Sequence, residues 1–541
     1  MRARTLSAFV REAAAQFGAR EMLAFAPESA VTARYSGTEL EEQILATARW
    51  LARLGVRKGT HVGLLWTNRP EWVFYAFGAW TLGAVVVPLS TLWKSHEIAF
   101  ALRHADVEVL LSMTAFRGRD FVDELSALIP EITARSGTTP LFNLDFPNLR
   151  CVRFFAAQDT PKAPTGDGRD PVDLEYVEAL AETGEPSDRA VIFFTSGTTA
   201  QPKAVVHCHE ALLVSGRRIA EAVGISEEDS WWGHMPLFWT GGFVLGLLAT
   251  WSGLGRVVLH ERVEPAQALQ LLEQERCTIM AGWHQAGPLL EHPDFPNRKL
   301  ALRKGSAHPL ADRLLVQPHF AVGMYGLSET ATCVACARWT DPREVRMNTC
   351  GNPLPGTEIR IVSAEDGRVL PSGATGEICV RGSTLMEGYY KVPYHQTFDS
   401  EGFFHTGDLG FVDDDGRLHF VGRLKDVIKT AGVNVAAQEV EEALAQHPAV
   451  QSAAVVGVPH EVRGENVAAF VVLRPSMTVT TEDIVAFCRD RLASYKVPRH
   501  IFFVSATEIP RTATGKIEKA ALREEARRRV QADPAALSNR R

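Results

Sequence analysis

The sequence predicts an α/β protein, a large N-terminal domain of alternating strands and helices followed by a smaller α+β unit. Three observations carry this. Strand and helix patterns alternate across residues 1–190 and again across 256–281, as expected of parallel sheet with helices on its faces. From Gly356 the pattern changes to short strands separated by turns, and after Arg423 a separate helix–strand series begins. A chain of 541 residues has ample volume for two or more domains.

The elements follow in order. Leu6, Phe9, Val10, Ala13 and Phe17 recur at helical spacing with Glu12 among them, so the Arg-bearing N-terminus reads as an amphipathic helix rather than a transit peptide. Residues 38–54 read as a helix with Leu40, Ile44, Ala46, Ala48 and Leu51 on or near one face. Strands are expected at 61–66, 84–88 and 107–112, and helices at 70–82 and 97–105. Residues 160–170, rich in Pro, Gly, Asp and Lys, read as a surface linker. Strands at 190–194, 256–259 and 278–281 and a helix at 265–275 continue the alternation. Short strands follow at 358–362, 376–380 and 418–421. The last unit has helices at 437–447 and 481–492 and strands at 450–458, 468–473 and 501–504. The domain boundary falls at 423–426, where a strand ends and charges gather. The basic end, from Arg527 to Arg541, reads as frayed.

Composition excludes several classes. Hydrophobic residues make up 46% and charged residues 22%, as in a globular enzyme. The net charge is −7 with Lys and Arg dispersed, which gives no footprint for nucleic acid. The longest apolar runs, 78–89 and 243–254, are too short to span a membrane. Eight cysteines in so long a chain read as thiols in a reducing cytoplasm, not as a disulfide framework. Cys333-Val334-Ala335-Cys336 lacks a second pair and reads as small buried side chains. His207-Cys208-His209 reads as structural or phosphate-proximal rather than metal-binding.

One stretch carries chemistry on its face. In Thr195-Ser196-Gly197-Thr198-Thr199-Ala200-Gln201-Pro202-Lys203, four hydroxyls, a glycine and a lysine follow the apolar run Ala190-Val191-Ile192-Phe193-Phe194. A strand opening into such a loop suits a polyphosphate, because amides and hydroxyls donate to phosphate oxygens and the lysine adds a point charge. The Gly-x4-Gly-Lys-Ser/Thr order of a P-loop fails here, since Pro202 precedes Lys203 and Ala204 follows it. Four further motifs follow in order: Tyr325-Gly326-Leu327-Ser328-Glu329-Thr330, His405-Thr406-Gly407-Asp408-Leu409-Gly410, Gly422-Arg423-Leu424-Lys425-Asp426, and Pro510-Arg511-Thr512-Ala513-Thr514-Gly515-Lys516-Ile517.

In this order the motifs resemble the adenylate-forming superfamily of acyl-CoA synthetases, luciferases and peptide-synthetase adenylation domains, from about Leu6 to Arg523. The resemblance implies an N-terminal domain, 1–422, of two sheet–helix subdomains plus a distorted β-barrel. It implies a hinge at 423–426 and a small mobile C-terminal domain, 427–541. The implied activity is an ATP-dependent carboxylic acid:CoA ligase working through an acyl-AMP, with Mg²⁺ and with CoA as co-substrate. Two anions meet in that first step, so cations and fixed dipoles are needed where charge accumulates. By resemblance, Thr195, Ser196, Gly197, Thr198, Thr199 and Lys203 hold the β- and γ-phosphates. Glu329 binds Mg²⁺ and Ser328 donates to the α-phosphate. Tyr325 stacks on adenine beside Gly323, Met324 and Gly326, and Gly305-Ser306-Ala307 lies along adenine and the acyl group. Asp408 accepts from the ribose hydroxyls, with Phe420 and Arg423 nearby. Lys516 bridges the substrate carboxylate and the α-phosphate, Lys425 occupies the hinge, and Lys429 and Gly432 line the path of the pantetheine arm.

Departures from the family pattern are few. Ala200 and Ala204 stand where glycine is usual, and Ser328 where threonine is commoner. Met235-Pro236-Leu237-Phe238-Trp239-Thr240-Gly241-Gly242 matches the segment lining the acyl pocket, with Trp239 where histidine is frequent. Trp239, Gly242, Trp283 and His284 then suggest a broad apolar pocket for a medium-chain, aryl or alicyclic acid. Competing functions are an acyl-AMP ligase loading a carrier protein and a catalytically inactive nucleotide-binding scaffold. An amino-acid adenylation domain needs an aspartate absent from 238–245, and a luciferase-type oxygenase keeps the same ATP residues. The expected partners are small molecules, with no nucleic acid and no membrane span. A homodimer is left open.

Overall fold

The computed structural model describes residues 2–134, 141–156, 172–195, 202–283, 285–430, 433–512 and 515–532. The chain forms two compact units, Met1–Ile359 with Val380–Phe404, and Arg360–Cys379 with His405–Arg541. The linker read at 160–170 lies outside the described residues.

The first unit is built on two seven-stranded sheets among the described residues. One runs Phe320–Val322, Lys304–Ser306, Ile279–Met280, Ser230–Gly233, Arg256–His260, Glu21–Ala26 and Ala33–Ser36, parallel except for the last pair. The other runs Gly388–Tyr389, Lys203–Cys208, Arg189–Thr195, Val85–Leu89, His61–Leu65, Val109–Met113 and Cys151–Phe155. Its first two pairings are antiparallel and the rest parallel. Val85–Leu89 is buried throughout, as a strand covered on both faces must be. Helix Pro70–Thr81 opens with proline at its first turn and is buried on every side, so it is apolar all round rather than striped. Helix Leu6–Phe17 buries the five apolar positions expected of it. Ser36 and Glu39 form a capping box that starts helix Gly37–Arg53. A single apolar core links residues of both sheets through Phe9, Trp72, Phe77, Val191, Phe243 and Trp251. Met324–Tyr325 pairs antiparallel with Ala335–Cys336, and the short strands expected from Gly356 include Thr357–Val362, Gly376–Gly382 and Leu418–Arg423.

The second unit centres on a five-stranded sheet that includes Val427–Thr430, Val433–Ala436, Val450–His460 and Gly464–Leu473, with His500–Phe503 parallel to the last. Alternation divides its strands cleanly. Val455, Val467, Ala469 and Val471 face helices Ala437–Ala445 and Thr481–Arg489. Ala454, Val456, Ala468, Phe470 and Val472 face helix Lys519–Ala532 through Leu522 and Ala526. That helix corrects the expectation of fraying for residues 527–532; residues 533–541 lie outside the described residues. Arg529 pairs with Glu525 at 2.7 Å and Glu508 at 3.3 Å, and its guanidinium lies over Phe470 and Phe502. The charged heads stay wet while the stems cover the sheet.

Candidate functional site

Strand Arg189–Thr195 delivers Thr195 opposite Lys203 on the returning strand. Ser196, Gly197, Thr198, Thr199 and Ala200 lie outside the described residues. Ala204 is buried in the returning strand opposite Phe194, where the backbone is extended and glycine confers nothing. The Lys203 ammonium sits 4.6 Å from the centre of the Tyr389 ring.

The segment from Gly323 to Thr332 is fixed by close backbone packing. Tyr325 is buried on its short strand. A Cβ on Gly326 would lie 1.9 Å from the Thr332 carbonyl oxygen, so only glycine fits. Ser328–Thr330 forms one 3₁₀ turn, in which the Leu327 amide donates to Thr330 Oγ1 at 2.9 Å. Ser328 Oγ lies 3.1 Å from Thr240 Oγ1. His207 Nε2 lies 2.6 Å from the Ser328 carbonyl, which can only accept, so Nε2 carries the proton. Burial pushes the His207 imidazole down to about 4. Tyr389 Oη donates to Glu329 Oε1 at 2.9 Å, and the Met386 amide donates to the Glu329 carbonyl at 2.8 Å. Burial first, and then the Glu329 carboxylate, hold the Tyr389 hydroxyl well above the usual tyrosine range. Among the described residues no side chain donates to Glu329 Oε2, which leaves a hard oxygen of the kind that binds Mg²⁺.

Gly305-Ser306-Ala307 continues the end of a parallel strand. Gly305 has φ +145° and its Cβ would lie 1.9 Å from the Met280 carbonyl oxygen. The preceding Lys304 is buried, and its Nζ reaches Asp229 Oδ2 at 2.6 Å. Trp283 Nε1 lies 3.0 Å from both Ser306 O and Ser306 Oγ, and its ring stacks on His308 at 4.7 Å. Trp239 and Trp283 are half-buried, and Trp283 packs against the apolar cluster of Trp232, Met280 and Leu289. His284 lies outside the described residues. Gly242 falls in the π-helix Gly241–Leu248. Asn68 clamps the segment before it, donating to Gly233 O and Met235 O and accepting from the Leu237 amide, each at 2.8 Å.

The second unit carries the remaining residues. Asp408 is 2% exposed, and Arg423 Nε lies 2.9 Å from its Oδ1 on the paired strand. Phe420 pairs with Gly410 on the same ladder. Glu377 braces the turn before Asp408, accepting from the Gly407 amide at 3.0 Å and meeting His405 Nδ1 at 2.9 Å. Lys425 sits in the 3₁₀ turn Leu424–Asp426, where burial draws its ammonium below the ordinary lysine value. Lys429 is exposed, with its amide on Glu465. Gly432 lies outside the described residues. Lys516 is exposed on a tight loop in which the Thr512 amide donates to its carbonyl at 2.8 Å.

Sequence reasoning missed Tyr389 and Asn68, which sit inside no motif read for chemistry; Tyr389 left only a weak signal, an aromatic after glycine in Gly388-Tyr389. Thr240 lies in the segment read as lining the acyl pocket but carried no role of its own, and His207, read as structural or phosphate-proximal, meets the Ser328 carbonyl. Cys333 and Cys336 are buried thiols donating to backbone carbonyls. His207 and His209 do not share a ligand, since His209 Nδ1 accepts from the Leu6 amide at 3.2 Å.

Burial pushes His209 down to about 4, as it does His207. The unfolded state therefore binds more protons than the folded one between the folded value and about 6.5. Stability should be full above about pH 6.5 and fall on acidification toward pH 4, each histidine adding up to about 1.4 kcal/mol per pH unit. His209→Asn, which keeps an acceptor, should shallow that slope by about one proton. Denaturant midpoints between pH 5 and 7.5 measure it, and an unchanged slope would contradict the assignment.

Comparison with known proteins identifies the family. The AMP-binding enzyme family matches residues 10–390, and the AMP-binding enzyme C-terminal domain matches 439–516. The 3-[(3aS,4S,7aS)-7a-methyl-1,5-dioxo-octahydro-1H-inden-4-yl]propanoyl:CoA ligase of Rhodococcus jostii is 31% identical over 96% of this chain and 98% of its own. The medium-chain fatty-acid–CoA ligase of Escherichia coli is 30% identical over 93% of this chain and 87% of its own. The anthranilate CoA ligase AuaEII, solved with anthranoyl-AMP, superposes with a TM-score of 0.79 at 26% identity, covering 97% of this chain and 98% of that one. No described helix is long and apolar enough to cross a membrane. The chain belongs to the AMP-binding enzyme family, and within it to the ATP-using acyl-CoA synthetases.

Proposed function

We propose that this enzyme joins a medium-chain, aryl or alicyclic carboxylic acid to CoA in two steps. A carboxylate oxygen attacks the α-phosphorus of ATP and expels pyrophosphate. The CoA sulfur then attacks the acyl carbonyl and AMP leaves. The observation that carries this reading is the arrangement of Lys203, Ser328 and Glu329, a cation, a hydroxyl and a carboxylate fixed around neighbouring strands where the hydroxyl-rich loop begins and ends.

In this reading Lys203 and the loop hydroxyls neutralise the outer phosphates, and Ser328 Oγ donates to the α-phosphate. Tyr325, Gly323, Met324, Gly326 and the Gly305-Ser306-Ala307 strand end frame adenine, while Asp408 receives the ribose hydroxyls beside Arg423 and Phe420. Glu329 would hold Mg²⁺, which supplies positive charge to the phosphate oxygens when bound. Lys516 acts in the first step, and residues 423–426 with Lys425 form the hinge between domains 1–422 and 427–541. Lys429 and Gly432 then border the pantetheine path. Trp239, Gly242, Trp283 and His284 shape the acyl pocket, and the ring-bearing and medium-chain acids named for the relatives support that range. All eight cysteines are thiols, which supports a reducing, cytoplasmic setting.

The test is acid-dependent exchange of labelled pyrophosphate into ATP over a panel of medium-chain, aryl and alicyclic acids. Exchange with at least one class, and its thioester appearing on free CoA, is the expected result. Absence of exchange across the panel would favour the scaffold, and a thioester only on a carrier protein would replace the acceptor.

A further inference from the structure

Tyr389 belongs to none of the motifs above, yet it touches two of them. It lies on the short edge strand Gly388–Tyr389, whose register places it opposite Val205 on the strand that begins at Lys203. Lys203 is two residues from Val205, so it shares that face of the pleat. Its ammonium lies over the Tyr389 ring at 4.6 Å, within the range of a cation–π contact. At the far end of the same side chain the hydroxyl donates to Glu329 Oε1 at 2.9 Å. A carboxylate oxygen only accepts, so the phenol is the donor in this pair.

The phenol therefore separates two opposite charges that would otherwise seek each other. Lys203 and Glu329 make no ion pair with one another or with any other described charge. An ion pair between them would consume the phosphate-binding charge and the carboxylate together. The ring gives the ammonium a partner that does not neutralise it, and the hydroxyl fixes one carboxylate oxygen while the other stays open.

We propose that Tyr389 is a positioning residue that keeps Lys203 available to phosphate and orients Glu329 toward a divalent cation carried on the nucleotide. This rests on the ligase reading given above. It separates the two ends of one side chain, and so two variants should fail differently. Tyr389→Phe keeps the ring and loses the hydroxyl. Tyr389→Leu loses both.

Calorimetric titration with an ATP analogue bridged by methylene between the α- and β-phosphates, with Mg²⁺ and with EDTA, reads this without turnover. For Tyr389→Phe the affinity gained by adding Mg²⁺ should fall about tenfold, the scale of losing one hydrogen bond to a charged partner, while affinity in EDTA stays within about twofold. For Tyr389→Leu affinity in EDTA should fall about tenfold as well, since Lys203 can then collapse onto Glu329. In the Glu329→Gln background, Tyr389→Phe should add nothing to the lost Mg²⁺ gain. An unchanged Mg²⁺ gain in Tyr389→Phe, equal losses with and without Mg²⁺, or additive losses in the double variant would each overturn the proposal. A wild type that lacks acid-dependent exchange would bring down the ligase reading and this inference together. A wild type that exchanges, beside a Tyr389→Phe protein with normal Mg²⁺ dependence, would end this inference alone.

Discussion

Lys516→Ala is expected to lower acid-dependent pyrophosphate exchange by about 10²-fold or more, the scale for removing one charge-stabilising group from a transition state. Thioester formation from supplied acyl-AMP should suffer far less. The reason is where charge develops. When a carboxylate meets the α-phosphate, two anions converge and an ammonium between them is stabilised most in the transition state. When the CoA sulfur attacks the acyl-AMP, that anionic encounter is already past. The variant is a clean probe because Lys516 is exposed. Its loop is held by backbone groups and hydroxyls, with Lys516 N donating to Thr512 Oγ1 at 3.2 Å and Arg511 Nη1 donating to Gly515 O at 2.8 Å. Truncation therefore removes charge without opening a core. Lys516→Arg keeps the charge but replaces a compact ammonium with a planar fork, so partial recovery is expected. Single-turnover measurement of each half-reaction decides the matter. Equal damage to both would refute a role confined to adenylation and with it the hinge proposed at 423–426.

What the chain disclosed by inspection follows from how local each signal is. Pro70 at a helix start, the valine run at Val85 and the period of the N-terminal helix are local, and the structure places elements there. Strand Ser230–Gly233 was not legible. Its two tryptophans, Trp231 and Trp232, are both fully buried because sheet neighbours and helices cover both faces, so no alternation marks the strand. The C-terminal helix is hard to read for a different reason: its buried stripe is only Leu522 and Ala526, with half-buried Val530 and the Arg529 guanidinium over Phe470 and Phe502 completing the cover. The same distinction governs the site. Residues inside contiguous motifs, such as Ser328 and Glu329, stand out as candidates in one sequence because the backbone itself brings them together. Tyr389 meets Glu329 across 60 residues of sequence, and His207 meets Ser328 across 121. Such pairs are made by strand register, which one sequence does not record.

Asp408→Ala should cause the other large loss, and it should do so through the ribose. An ionised carboxylate only accepts hydrogen bonds, and a cis-diol offers two donors. The group is already out of water, 2% exposed, and held by Arg423 at 2.9 Å, so its orientation is set before nucleotide arrives. Hydrogen bonds to a charged partner contribute about 1.5–3 kcal/mol each, so removing the carboxylate should lower kcat/KM for ATP by about 10- to 150-fold per hydroxyl engaged. Comparison of ATP with its 2′-deoxy and 3′-deoxy forms distinguishes this from a general disturbance. The wild type should penalise each missing hydroxyl about tenfold or more. In Asp408→Ala the penalty should vanish, because the acceptor that sensed the hydroxyl is gone. Arg423 loses its partner in this variant, but its side chain is 40% exposed and water replaces the carboxylate at little cost. Asp408→Asn keeps one acceptor and the turn that Thr406 Oγ1 secures by taking the Asp408 amide at 3.1 Å, so it should fall between the two. If Asp408→Ala turned over slowly yet still discriminated against both deoxynucleotides, the carboxylate would be bracing its strand rather than reading the sugar, and the nucleotide pose proposed for this enzyme would need a different anchor.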